Sequence, residues 1–238
     1  MTINIHENGC TFCNECNGRK ELSYFERVFA KKYGIQDRTA WDTSCFRVVP
    51  TLGSFVPGYL LVIPREHALS FLSLTSSHLS ELDDLEKELS AFIRTMYHKG
   101  YIIFEHGSSD ESNVGGMSVV HAHIHVIPCD TAIMPHSKAY TFRSFNSFHE
   151  AAAYYAANQS GAPYLLCKDT DGKVYLSFAE NIPSQYFRNL VCDLIAEKGT
   201  GNWKAYPYVD HIKQTLADVE RYRRNIKENN SYGTYDTE

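Results

Sequence analysis

Two periods of apolar residues divide this 238-residue chain into elements. Residues 45–49 and 58–63 read as strands, the second ended by Pro64. Leu79, Leu82, Leu85, Leu89 and Ile93 recur at helical spacing, which predicts a helix capped by Ser77 or Ser80 and reaching His98. Residues 101–105 and 118–127 read as strands on either side of the polar loop Ser108-Ser109-Asp110-Glu111-Ser112-Asn113. A different pattern begins near Phe148. Residues 150–158 are alanine-rich and helical, and residues 164–167 and 174–178 flank the hairpin turn Asp169-Thr170-Asp171-Gly172. Ser184 is placed to cap a helix through Glu197 that stops at Gly199, and residues 208–227 read as a last helix. A helix between strands that are neighbours in sequence predicts an α+β fold with an antiparallel sheet.

The strand over 118–127 carries the chemistry. It contains Val119-Val120-His121-Ala122-His123-Ile124-His125-Val126-Ile127-Pro128. With a side-chain period of two, His121, His123 and His125 face one way, and Ala122, Ile124 and Val126 face the core. A lone strand histidine is ordinarily a packed, hydrogen-bonded residue. Three on one face beside Gly115-Gly116 make a row of imidazoles for a ligand. A neutral imidazole nitrogen can attack phosphorus and split one displacement into two, provided a fixed acceptor on its other nitrogen holds the tautomer. The rival chemistry is metal binding, since imidazole is the commonest metal ligand. Gly115 ahead of His121-x-His123 imitates the start of a cupin metal motif, but Ile127-Pro128-Cys129-Asp130 lacks the glutamate that motif needs.

Composition narrows the picture. A formal charge of −5 argues against an extended nucleic-acid surface, and the cluster Arg221-Tyr222-Arg223-Arg224 reads as the solvated face of a helix. No apolar run approaches the roughly 18 residues a membrane helix needs. Residues 1–7 lack a basic start and an apolar core, so a cytoplasmic protein with reduced thiols is expected. Of the seven cysteines, Cys10-x2-Cys13 reads as half a zinc site, and Cys13-x2-Cys16 fits the same spacing. Cys45, Cys129, Cys167 and Cys192 sit among apolar residues and read as buried thiols.

Four segments resemble the histidine-triad (HIT) superfamily, in its order, over residues 8–130. His121-Ala122-His123-Ile124-His125-Val126-Ile127 matches its signature, in which three histidines alternate with apolar residues. Gly116-Met117-Ser118 stands where the family has Gly-x-Ser or Gly-x-Thr. Pro57-Gly58-Tyr59-Leu60-Leu61-Val62-Ile63-Pro64-Arg65-Glu66-His67 resembles its Pro-Gly-His strand, with Tyr59 in place of the histidine. Cys10-Thr11-Phe12-Cys13 resembles the opening of its zinc-containing members. The chain departs from the family elsewhere. Thr51 stands nearest to the ribose-binding acid, Phe104-Glu105-His106-Gly107 replaces a segment with asparagine, and Met117 replaces a phosphate-contacting glutamine. The chain resembles a bacterial-type branch with Phe-Glu-His-Gly before the triad and a C-terminal extension.

The resemblance implies a HIT-like antiparallel half-barrel sheet with helices, often dimerised, over residues 1–147. A C-terminal α/β extension over 148–227 would pack on it, with a disordered tail at 228–238. It implies His123 as nucleophile, His125 on the phosphate or bridging oxygen, and Ser118 with the amides near Gly116 and Met117 as donors to the phosphoryl group. Glu105, His106 and Gly107 precede the triad strand and are expected at the substrate. Gln185 and Arg188 lie three apart on one helix face, suited to clamp an anion, although the same spacing describes a plain surface pair. Structural zinc is implied at Cys10, Cys13, His67 and His121. The expected activity is hydrolysis of a nucleotide derivative at its α-phosphate through a nucleotidyl-histidine. A nucleotidyltransferase or phosphorylase shares that first step, and a non-catalytic nucleotide-binding regulator shares the fold.

Overall fold

The computed structural model describes residues 9–107 and 119–232, with side chains through residue 228. The expected donors Gly116, Met117 and Ser118 lie outside the described residues, as does the loop before them.

Among the described residues, eight strands form one antiparallel sheet. The strands are β1 (Trp41–Asp42), β2 (Phe46–Pro50), β3 (Leu60–Pro64), β4 (Tyr101–Gly107), β5 (Ile124–Pro128), β6 (Arg143–Phe145), β7 (Tyr164–Lys168) and β8 (Val174–Phe178). Their order is β1-β2-β3-β5-β4-β7-β8-β6. Strand β7 pairs with β4 over five residues, from Ile103↔Lys168 to Gly107↔Tyr164, so the second half of the chain continues the sheet of the first.

The helices are α1 (Thr11–Cys16), α2 (Lys31–Tyr33, entered through a π-type turn at Glu26–Ala30), α3 (Ser76–Tyr97), α4 (Phe148–Asn158), α5 (Tyr186–Ile195) and α6 (Val209–Tyr232). On one face of the sheet, α3 buries the expected stripe Leu79, Leu82, Leu85, Leu89 and Ile93 against Val48, Val62, Ile103 and Val126. Each such side chain contributes roughly 1.5–3 kcal/mol. Ala151 and Tyr155 of α4 and Val219 of α6 close the same layer. The opposite face carries α5 through Phe187 and Val191 on Phe104 and Leu165, and α1 through Phe12 and Cys16 on Leu61 and Ile63.

Several boundaries differ from the sequence reading, and α6 runs through Tyr232, into the segment expected to be a disordered tail. The cap of α3 is Thr75, whose hydroxyl accepts from the His78 amide at 3.4 Å, rather than Ser77 or Ser80. The residue at the cap position of α5 is Gln185, in the left-handed region at φ 62°, rather than Ser184. Strand β5 begins at Ile124 instead of near 118. Its ladder with β3 stops after Val62↔Ile124 because the next groups are engaged elsewhere. Pro64 has no N–H to give. The Pro64 carbonyl accepts from the His121 ring at 2.9 Å, the His121 carbonyl from the His123 ring at 2.7 Å, and the Ala122 amide donates to Ala68 at 2.6 Å. Only His125 is therefore a true strand residue.

Candidate active site and metal centre

The four cysteine and histidine side chains predicted as ligands meet between α1, the end of β3 and the entry to β5. One donor atom from each of Cys10, Cys13, His67 and His121 lies within 4.8 Å of all the others. Cys10 caps α1, which turns Cys13 back toward it. His67 Nδ1 is 3.3 Å from Cys13 Sγ, and His121 Nδ1 is 3.2 Å from Cys10 Sγ and from His67 Nδ1. Because His121 donates through Nε2 to Pro64, its Nδ1 carries the lone pair that points at the sulfurs. Four such atoms around zinc would stand about 3.5 Å apart at ordinary bond lengths, so the donor set fits a closed tetrahedral ion. Burial first, then neighbouring imidazoles for His121 and the Cys10 thiol for Cys13, favours the neutral forms here, lowering His121 to about 4 and raising Cys13 to about 12. Cys16 is not in this cluster; it is buried on Phe12 and Leu61.

Next to this centre a pocket opens on the α1/α5 face of the sheet, lined by His123, His125, His106, Phe104, Gln185 and Arg188, among others. His123 Nδ1 donates to the His121 carbonyl at 2.7 Å, which fixes the tautomer and leaves Nε2 unprotonated. Among the described residues Nε2 has no partner. Phe12 sets its edge against both rings, at 5.8 Å for His121 and 5.4 Å for His123. His125 stacks on Phe104 at 4.5 Å, and its Nδ1 is 2.7 Å from the Tyr59 hydroxyl. Burial holds His123 below the usual imidazole range and His125 well below it, so both rings are neutral near pH 7.

The segment Phe104-Glu105-His106-Gly107 divides by strand alternation. His106 lies on the pocket side and accepts from the Phe187 amide at 3.3 Å through Nε2, tying β4 to the start of α5. Glu105 is a correction to the expected substrate contacts. It faces the other layer, 1% exposed, and accepts from the Phe71 amide at 2.8 Å and the Tyr164 hydroxyl at 2.5 Å. Gly107 also serves packing: a Cβ there would fall 2.1 Å from the Tyr164 ring.

Arg188 lines the pocket but is no surface residue, being 2% exposed. It donates to the carbonyls of Gly201 (2.6 Å) and Gly53 and to the Tyr59 hydroxyl (3.2 Å). Among the described residues no carboxylate pairs with it. Arg38, the second guanidinium of the pocket, is matched by Glu15 through two 2.7 Å contacts.

Several pocket residues escaped the sequence reading. Tyr24, Phe25 and Trp203 supply aromatic surface, with Tyr24 edge-on to Trp203 at 5.9 Å. They come from the first and last parts of the chain, and no spacing joins them. Thr51, noted only as a departure from the family, does line the pocket.

A family model described as the HIT domain matches residues 37–132. Over those residues the chain is similar to the HIT domain. HIT-domain proteins are generally nucleotide hydrolases or transferases, and some are non-catalytic. The chain is also similar to several solved structures. A HIT-family protein of Bacillus subtilis is 16% identical, covering 63% of this chain and 97% of its own, with a TM-score of 0.40. One of Bacillus anthracis is 18% identical, covering 62% and 95%, with a TM-score of 0.39. A structure described as a zinc-bound histidine triad family protein of Mycobacterium smegmatis is 17% identical, covering 62% and 91%, with a TM-score of 0.36. No curated protein matches the chain significantly. Among the described residues no helix is long and apolar enough to cross a membrane.

Proposed function

We propose that this protein hydrolyses a nucleotide derivative at its α-phosphate through a nucleotidyl-histidine. The observation that supports this most is the state of His123. Its Nδ1 is pinned to a backbone carbonyl, and its bare Nε2 belongs to a ring lining a pocket. In the first step the Nε2 lone pair forms the N–P bond. The bond from phosphorus to the leaving group breaks with its electron pair, and the leaving group takes a proton from solvent, which the water of the second step returns. In the second step water adds to phosphorus, the N–P bond breaks, and the nucleotide is released. His125 donates a hydrogen bond toward the bridging atom, and Arg188 keeps a positive field beside the phosphate. Tyr24, Phe25 and Trp203 offer faces to a planar base. Transfer to an acceptor other than water would share the first step.

The metal reading is zinc held by Cys10, Cys13, His67 and His121. It would be structural, closed to substrate, and would fix His121 so that the His121 carbonyl stays on His123 Nδ1.

Turnover of nucleoside phosphoramidates, dinucleoside polyphosphates and nucleotide sugars by wild type and His123→Ala tests the reading. Wild type should turn over one class, and the variant should fold yet lose about 10⁴-fold or more, the scale for removing a nucleophile. Equal turnover by the two proteins would refute the mechanism.

A further inference from the structure

Tyr59 stands where the family has histidine, and its surroundings give that replacement a role. The phenol is fully buried, and among the described residues its hydroxyl has two partners, Arg188 Nη1 at 3.2 Å and His125 Nδ1 at 2.7 Å. A guanidinium only donates. The phenol oxygen therefore accepts from Arg188, and its single proton goes to His125 Nδ1. A neutral imidazole that accepts at Nδ1 carries its proton on Nε2. The opposite assignment would point a proton from each neighbour at the phenol oxygen and leave the buried phenol proton with no acceptor.

The neighbouring ring is held the other way. His123 is protonated on Nδ1 by its bond to the His121 carbonyl. The two ring centroids are 5.1 Å apart. One pocket thus holds a bare Nε2 and an Nε2–H side by side. Phe104, stacked on His125 with planes 17° apart, fixes the direction in which that second N–H points.

We propose that Tyr59 and Arg188 are positioning residues that lock His125 as an Nε2–H donor to the leaving-group atom. The inference rests on the hydrolase reading above. It gives the second half of the chain a part in the chemistry, because Arg188 sits on α5. Arg188 is held there by the carbonyls of Gly53 and Gly201, and Gly53 is a glycine of necessity. A Cβ there would fall 2.4 Å from the guanidinium and 2.5 Å from Trp203 Cβ. The groups around His125 are consistent with a neutral ring: Arg188 and two imidazoles, His123 and His106, all oppose a positive charge on it.

The prediction concerns leaving groups. A donor on the bridging atom matters where basic charge develops, as with an amine, and little for nitrophenolate, which leaves unaided. The test uses the full chain with ring-¹⁵N histidine, resonances assigned with His125→Gln. It compares wild type, Tyr59→Phe and Arg188→Lys on adenosine phosphoramidate and on the nitrophenyl ester of AMP. Wild-type His125 should show an unprotonated Nδ1 and a protonated Nε2. Tyr59→Phe keeps the ring and should shift His125 to a mixture of tautomers. Its kcat on the phosphoramidate should fall about tenfold to a hundredfold, with kcat on the nitrophenyl ester and both KM values within about threefold. Arg188→Lys keeps a donor and should lie between. A protonated Nδ1 in wild type, or equal kcat losses on the two substrates, overturns the proposal. Wild-type silence on both substrates would overturn the hydrolase reading instead, and the ring spectra would still decide the tautomer.

Discussion

Glu105 offers the sharpest separation of a structural from a functional role, because its protonation leaves a signature in stability. Its carboxyl is buried with no cation beside it among the described residues, and burial pushes its pKa from 4.5 to about 8 even though Phe71 and Tyr164 donate to it. Between those two values the folded chain holds a proton that the unfolded chain has released. Stability must then fall as pH rises: the contribution is fully present below pH 4.5 and gone above pH 8. The slope is about 1.4 kcal/mol per pH unit, which amounts to about 4 kcal/mol between pH 5 and pH 9.

Glu105→Gln removes the titration and mimics the protonated acid. Urea unfolding of both proteins across this range should show the wild type losing about 4 kcal/mol relative to the variant, other titrating groups cancelling in the difference. Parallel curves would refute the assignment of a protonated acid. The same variant tests position. Glu105 faces away from the pocket, so kcat/KM at pH 7 should change less than about threefold. A large rise in KM with an unchanged stability profile would return Glu105 to the substrate.

Two other tests address the rest of the site. Metal analysis should find about one zinc per chain in wild type and much less in Cys13→Ser, with a lower Tm for the variant and for chelator-treated wild type; a zinc-free wild type of unchanged Tm would remove the metal reading. Trp203→Ala should raise KM about fivefold to 150-fold, the scale of about 1–3 kcal/mol for base–aromatic stacking, with kcat less affected; an unchanged KM would leave Trp203 a packing residue.

The likeness to the HIT domain and the meeting of Cys10, Cys13, His67 and His121 were legible because both rest on local signals. The triad has a period, and Cys10-x2-Cys13 has a spacing that a capped helix turn enforces. Stripes such as Leu79 to Ile93 announced α3, since one helix face must be covered. What stayed hidden depends on contacts between distant segments. Strand β6 is three residues long and mostly exposed, with no alternation to read. The late start of β5 follows from imidazoles taking the carbonyls a ladder would use, which no propensity encodes. Glu105 was misplaced for a related reason: a polar residue in an apolar strand suggests a ligand, yet here its partners are a loop amide and a tyrosine from β7. Arg188 was read as an anion clamp or a surface pair, and neither reading foresaw a buried guanidinium satisfied by carbonyls.

The continuity of the sheet explains why the second half of the chain belongs to the site. Strand β5 is flanked by β3 and β4, so its pocket face is bounded by whatever covers their outward side chains. On the β3 side, α1 covers Leu61 and Ile63 and brings Cys10 and Cys13 to His121. On the β4 side, Phe104 and His106 need a partner, and α5 supplies Phe187 to both. That helix can sit there because β7 pairs with β4, one strand from the triad, and Leu165 extends the apolar floor beneath it. Once α5 is seated, Arg188 reaches Tyr59 across the end of β3, and Tyr59 reaches His125. The triad strand is thus gripped through different histidines from its two sides. His121 is held by the N-terminal cysteines and His125, through Tyr59, by the C-terminal arginine, with His123 between them, hydrogen-bonded to the His121 carbonyl and edged by Phe12.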